Sequence, residues 1–162
     1  MNGNTDAGPK FDQDDENNSI IFHEDSGMVT WEKSWIRNHL GNTTINEIFS
    51  IEERKYICKT ELENKSYDYS DRRIEDSNST IDRLFFLSEY EVNKYLNDEE
   101  RNKKVSYWLR NPGKYNKARV VCSCFSFGPR NSTSFANAGL NYRICKMFPA
   151  FWLNIDPSFK GE

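Results

Sequence analysis

The side chains here that can do chemistry are four cysteines, two histidines and a surplus of carboxylates, and their spacing narrows what that chemistry is. Cys122 and Cys124 form a C-x-C inside the apolar run 119–127, so on a strand both point to one face. Structural zinc sites ask for paired cysteine knuckles or a Cys/His set. Cys58 and Cys145 stand apart, and His23 and His39 keep no ligand spacing to any cysteine, so buried free thiols are expected and no metal. Nucleophilic catalysis has no G-x-S-x-G, metalloprotease chemistry no H-E-x-x-H, and no Gly-rich loop has a phosphate-cradling spacing. His39 falls at the end of an expected helix, where a cation complements the dipole, so a capping role is expected of it. Asp68, Asp71, Glu75, Asp76 and Asp82 would attract a cation, but not at the spacing of an EF-hand loop. They read as a solvated loop, and the residues imply no cofactor.

Charge points to partners more than to catalysis. Residues 1–27 carry a net −6, residues 28–100 a net −6 and residues 101–162 a net +9. A basic final third can meet phosphates, an anionic glycan, an acidic partner or the acidic first half of its own chain. The basic residues are dispersed with no run of four, unlike the clustered stripe of a nucleic-acid binder. If nucleic acid were the partner, Tyr107, Tyr115 and Tyr142 would be the stacking residues. The segment 128–143 mixes Asn, Ser, Arg and aromatic residues, the composition of an adaptable binding loop.

These groups need elements to position them, and 162 residues give room for one domain. Only 36% of residues are hydrophobic, yet 14% are aromatic, so an aromatic core with polar loops is expected rather than a disordered chain. No apolar run is long enough to span a membrane, and the acidic, polar start does not read as a signal peptide, so no membrane partner is expected and no compartment is assigned. Residues 1–27 read as an acidic tail with one short strand at Ser19–His23. Thr30 is the expected N-cap of a first helix carrying Trp35, Ile36 and Leu40, with Gly41 as its stop. Ser50 and Glu53 form a capping box for a second helix, with Phe49 as its hydrophobic staple. Residues 60–82 read as a long loop and 83–87 as a buried strand. Ser88 and Glu91 box a third helix whose inner face is Val92, Tyr95 and Leu96, closed by Asn97-Asp98. Strands follow around 107–110, 118–127 and 151–155, with turns at Asn111-Pro-Gly113 and Gly128-Pro129. Helices early and strands late predict an α+β fold, with residues 28–156 as the domain and 157–162 as a short tail. Trp31, Trp108, Leu109 and Trp152 are expected in the core and Arg110 in a structural ion pair. Five N-x-S/T triplets, at Asn17, Asn42, Asn64, Asn78 and Asn131, imply nothing about glycosylation in a chain of eighteen asparagines.

Five of these segments, in order, resemble a known family: Thr30-Trp-Glu-x-Ser34 with Ile36-Arg37 and Leu40, Phe49-Ser-x-Glu-Glu53 with Ile57, Phe86-Leu-Ser88 with Glu91-Val92, Trp108-Leu-Arg-x-Pro-Gly113, and Pro149-Ala-Phe-Trp-Leu-Asn154. The pattern is similar to a bacterial family of domains of unknown function with a C-type-lectin-like fold. That family is related in architecture to formylglycine-generating enzymes and to the variable proteins of diversity-generating retroelements. The resemblance implies short helices in the first half and an antiparallel sheet mainly in the second. The chain departs from it in two places: Phe148 precedes Pro149 where the family has an arginine, and no W-x-V-L segment precedes Met28. Since the first and last strands pair in such folds, residues 151–155 are expected to find a partner in Ser19–His23, in a strand-exchanged second copy, or in a longer chain.

The resemblance also carries expectations about function. In the retroelement proteins the diversified residues lie shortly before the final strand, which here makes Arg130, Asn131, Ser134, Asn137, Asn141, Tyr142 and Arg143 the ligand-facing candidates. Calcium-dependent sugar binding is not implied, because E-P-N is absent and Trp152-Leu-Asn154 lacks the acidic residue of the W-N-D strand. The copper-binding cysteine pair of the oxidases is not matched by Cys122, Cys124 and Cys145. The leading expectation is a non-enzymatic domain that presents a protein- or glycan-binding surface from its late loops. Polyanion binding by the basic third is the first alternative, and a degenerate formylglycine-generating-type oxidase the second.

Overall fold

Ser34, rather than Thr30, starts the first α-helix. Its hydroxyl accepts from the Arg37 N–H at 3.3 Å, while Thr30 precedes only a one-turn 3-10 segment, Trp31–Lys33, and makes no side-chain cap bond. The computed structural model describes residues 21–24, 29–65, 78–101, 106–113, 117–122, 134–139, 145–156 and 158. In it, α1 (Trp35–His39) runs through a π-helical turn, Leu40–Thr44, into α2 (Ile45–Ile48). The expected stop at Gly41 is thus corrected, for Gly41 lies within the π turn with open space where a Cβ would stand. Ile36, Leu40, Thr44 and Ile45 are all buried, and this stripe on one face outweighs the local preference of glycine to end a helix. His39 therefore lies where α1 passes into the π turn rather than at a free helix end. Its ring stacks on Trp35 at 4.7 Å, and burial pushes its pKa down against the opposing charge of Glu47.

Both expected capping boxes form. The Ser50 N–H donates to Glu53 at 2.8 Å at the start of α3 (Ile51–Arg54), and the Ser88 N–H donates to Glu91 at 2.8 Å at the start of α4 (Glu89–Tyr95). Phe49 staples differently from expectation, edge-on to Phe151 at 5.2 Å across the fold. The third helix ends at Tyr95, just ahead of Asn97 as expected, and Asn97 then caps a further short helix, α5 (Asp98–Arg101), its side chain accepting from the Glu100 N–H at 2.9 Å.

The stretch 60–82 is not all loop. Its ends form β1 (Thr60–Leu62) and β2 (Thr80–Asp82), antiparallel with Glu61 opposite Ile81. Asp82 is correspondingly no loop carboxylate, since it accepts from Trp31 Nε1 at 3.0 Å, Arg37 Nε at 2.8 Å and Thr80 Oγ1 at 2.8 Å. Asp68, Asp71, Glu75 and Asp76 lie outside the described residues. The expected strand at 83–87 is buried but makes only one antiparallel bridge, Phe85 to Ala150.

The second sheet is β3 (Tyr107–Pro112), β4 (Lys117–Cys122) and β5 (Ser134–Gly139), antiparallel in that order, with Val121 opposite Phe135 and an irregularity between Trp108 and Pro112. Early helices and late strands make the fold α+β. The end of the chain is a correction: 151–155 is no ladder strand, but crosses 56–58 of the same chain through the bridge Ile57 to Leu153. The Cys58 N–H donates to the Trp152 carbonyl at 2.8 Å and the Asn154 N–H to the Tyr56 carbonyl at 2.9 Å. Trp152 is consequently not a core residue, and 49% of it is exposed.

Trp31, Trp108 and Phe86 are fully buried, and Phe22 joins them, its ring 5.5 Å from Trp108, so the expected tail contributes to the main core. A second cluster of Val92, Tyr107, Leu109 and Val121 packs α4 on the sheet. Among the described residues, no helix is long and apolar enough to cross a membrane.

Candidate functional site

Arg110 organises the site. The backbone of β3 buries it to 3% exposure, and a guanidinium so desolvated must be paired. It forks onto Glu91, with Nη2 donating to Oε1 at 3.0 Å and Nη1 to Oε2. It also donates to the carbonyls of Phe86 at 3.1 Å and Glu63 at 3.3 Å. This is the expected structural ion pair, and it fastens α4, the 83–87 segment and the end of β1 to the sheet. Asn111 adds a second clamp, accepting from the Glu89 N–H at 2.6 Å and donating to the Lys65 carbonyl at 2.8 Å. Arg119 on β4 adds a further tie to α4 by donating to buried Glu89 at 2.7 Å.

Over this floor lies a cleft of about 490 Å³ between β1 and α4. One wall is Thr60–Glu63 with Lys65, the other Tyr90 and Tyr95, and Glu91, Arg110 and Asn111 form its base. The period of α4 turns Val92 inward and leaves Tyr90 60% and Tyr95 45% exposed, so the inner face expected of Tyr95 is corrected. Trp152 extends the aromatic rim, edge-on to Tyr95 at 5.8 Å, and Lys94 sits 5.0 Å from the Tyr95 ring. Beyond β1 a second cleft of about 370 Å³ is lined by Lys55, Tyr56, Cys58, Lys59 and Ile81. Glu61 lines both.

The charge pairs of the base also set the protonation of its carboxylate. Burial would raise the Glu91 pKa, but the Arg110 bonds and charge together with the Ser88 bonds outweigh it, holding Glu91 ionised below the usual carboxylate range. A carboxylate so engaged is poorly placed to act as a general acid. Glu63 meets Lys65 at 3.2 Å, whereas Glu61 has no ion partner among the described residues. Cys145 is buried in the main core and its thiol is pushed up to about 12 by that burial, so it stays protonated at neutral pH. No group of three His, Cys, Asp or Glu among the described residues can hold a metal ion.

Of the residues expected to face a ligand, two fall among the described residues. Ser134 and Asn137 lie on β5, opposite Cys122 and Arg119 in the β4 register. Arg130, Asn131, Asn141, Tyr142 and Arg143 lie outside the described residues, as does Cys124. Tyr107, a stacking candidate, is buried against Phe148 with its ring 5.1 Å away, which removes it from that role; Tyr115 is not among the described residues. Sequence reasoning missed Tyr90, Glu61, Lys65 and Asn111. The signal for Tyr90 was in the text: in a helix boxed at Ser88 with Val92 inward, residues 90 and 94 fall on the outer side.

A family model described as a domain of unknown function, DUF6273, matches residues 12–155. No curated protein and no solved structure matches the chain.

Proposed function

The chain belongs to the DUF6273 family of domains of unknown function, and for it we propose a non-enzymatic binding domain that takes a protein or glycan ligand in the cleft between β1 and α4. The observation that carries this reading is an exposed aromatic rim, Tyr90, Tyr95 and Trp152, beside a polar cleft whose floor is already paired. Exposed Tyr and Trp supply contact area at small entropic cost, and a satisfied floor fixes the cleft without consuming the ligand's own bonds. The C-type-lectin-like fold is part of the proposal, supported by the order of helices and strands and by a final segment that folds back on the body of the domain. The late-loop residues Arg130, Asn131, Ser134, Asn137, Asn141, Tyr142 and Arg143 are proposed as a second ligand-facing surface, on the resemblance to the retroelement variable proteins. Polyanion binding is disfavoured by the spending of Arg110 and Arg119 on Glu91 and Glu89.

Tryptophan emission tests the proposal. Trp31 and Trp108 are fully buried and Trp35 half-buried, so Trp152 is the indole most open to solvent. A ligand found by screening oligosaccharide and peptide panels is expected to shift the emission to the blue and to shield it from iodide, with both effects lost in Trp152→Phe. Binding with no response from Trp152 and unchanged affinity in Tyr95→Ala would contradict it.

A further inference from the structure

Within that reading, we infer that the ligand is an extended, basic peptide segment of a partner protein, laid along β1 as an added strand. The proposal rests on three features of the cleft. First, β1 pairs only with β2, so among the described residues its other edge has no strand partner; just past β1 the Glu63 and Lys65 carbonyls are held by Arg110 and Asn111, while within Thr60–Leu62 strand alternation turns backbone groups toward that edge. Second, the cleft runs between β1 and α4, and a trough bounded by an edge strand and a helix has the shape in which an extended chain gains main-chain hydrogen bonds on one side and side-chain contacts on the other. Third, in this cleft Glu91 is paired by Arg110 and Glu63 by Lys65, leaving Glu61 exposed and without an ion partner among the described residues. A Lys or Arg at the middle of the added strand would answer Glu61, while apolar or aromatic side chains of the peptide pack on Tyr90 and Tyr95.

The experiment uses the full chain, isotopically labelled, and three probes: acetylated and amidated octapeptide pools randomised except for a central Lys, the same with a central Glu, and mixed neutral oligosaccharides. The Lys pool is expected to bind, to move the amide resonances of residues 60–63 and to slow their hydrogen exchange. Glu61→Gln is expected to erase the preference for Lys over Glu, and Glu61→Lys to reverse it by about fivefold, the size of an exposed charge pair. Both variants alter an exposed side chain, and unchanged amide spectra elsewhere would show that they fold. Peptide binding without slowed exchange in β1, or an unchanged preference in both variants, would overturn the inference. Oligosaccharide binding that shifts Trp152 emission, with no peptide binding, would overturn it while leaving the binding-domain reading intact. No binding by any probe would overturn both.

Discussion

The floor and the rim of the cleft are built on opposite principles. In the floor, the charges are sheltered and answered: buried Arg110 by half-buried Glu91, with half-buried Arg119 on buried Glu89 close by and Asn111 spanning two elements. On the rim, Tyr90, Tyr95, Trp152 and Glu61 stand in solvent with little holding them. Removing a buried partner strands an unpaired charge, whereas truncating an exposed ring leaves the folded chain almost as it was. The difference assigns the most conspicuous polar group, Arg110, to stability, and in the proposed reading it leaves recognition to the separate residues of the rim.

The sharpest way to break that division is Arg110→Met. It should cost about 3–5 kcal/mol because Glu91 remains buried without its cation. Chemical denaturation measures it, and a loss below about 1 kcal/mol would mean that the floor behaves as surface. Asp82→Asn should follow at about 2–3 kcal/mol, since Arg37 loses its carboxylate while Trp31 and Thr80 keep only a weaker acceptor. Ser88→Ala removes one side of a capping box and should cost about 1 kcal/mol, without affecting ligand affinity if α4 stays in place.

Acid should act on the floor and on His39 in separate windows. His39 is held below its ordinary value near 6.5, so its contribution is full above that pH and fades as pH falls toward its lower folded value. Glu91 is held below the usual carboxylate range, so its contribution is present above about pH 4.3 and is lost as pH falls through its folded value. Stability measured between pH 7 and 3 should fall in two stages, and His39→Gln should remove the upper one alone. A single stage centred on carboxylate titration would count against the burial of His39.

Much of the floor was legible in the sequence. The Ser50 and Ser88 capping boxes, the ion-paired Arg110 and the buried Trp31, Trp108 and Leu109 follow from local spacing and composition, which act over a few residues. The α+β order was legible for the same reason. What was not legible depends on distant packing. Gly41 reads as a stop until Leu40 and Ile45 are seen buried on one stripe, and Trp152 reads as core until its segment is seen to pair with 56–58 at the surface. The cleft itself arises from β1 and α4, which are separated in sequence by more than twenty residues and brought together by Arg110 and Asn111 from a third element. No local pattern encodes that meeting. The basic final third was ambiguous from composition, and Arg110 and Arg119 show part of its charge spent on the acidic segment 28–100.

The division between floor and rim is tested most directly by the Tyr95→Ala, Trp152→Ala double variant, in which affinity for the best-binding pool and thermal unfolding are measured on the same sample. The account predicts affinity reduced at least about tenfold, as for loss of aromatic anchors, with the melting temperature lowered by only a few degrees. Unchanged affinity, or a collapse of stability that carries affinity down with it, would contradict it.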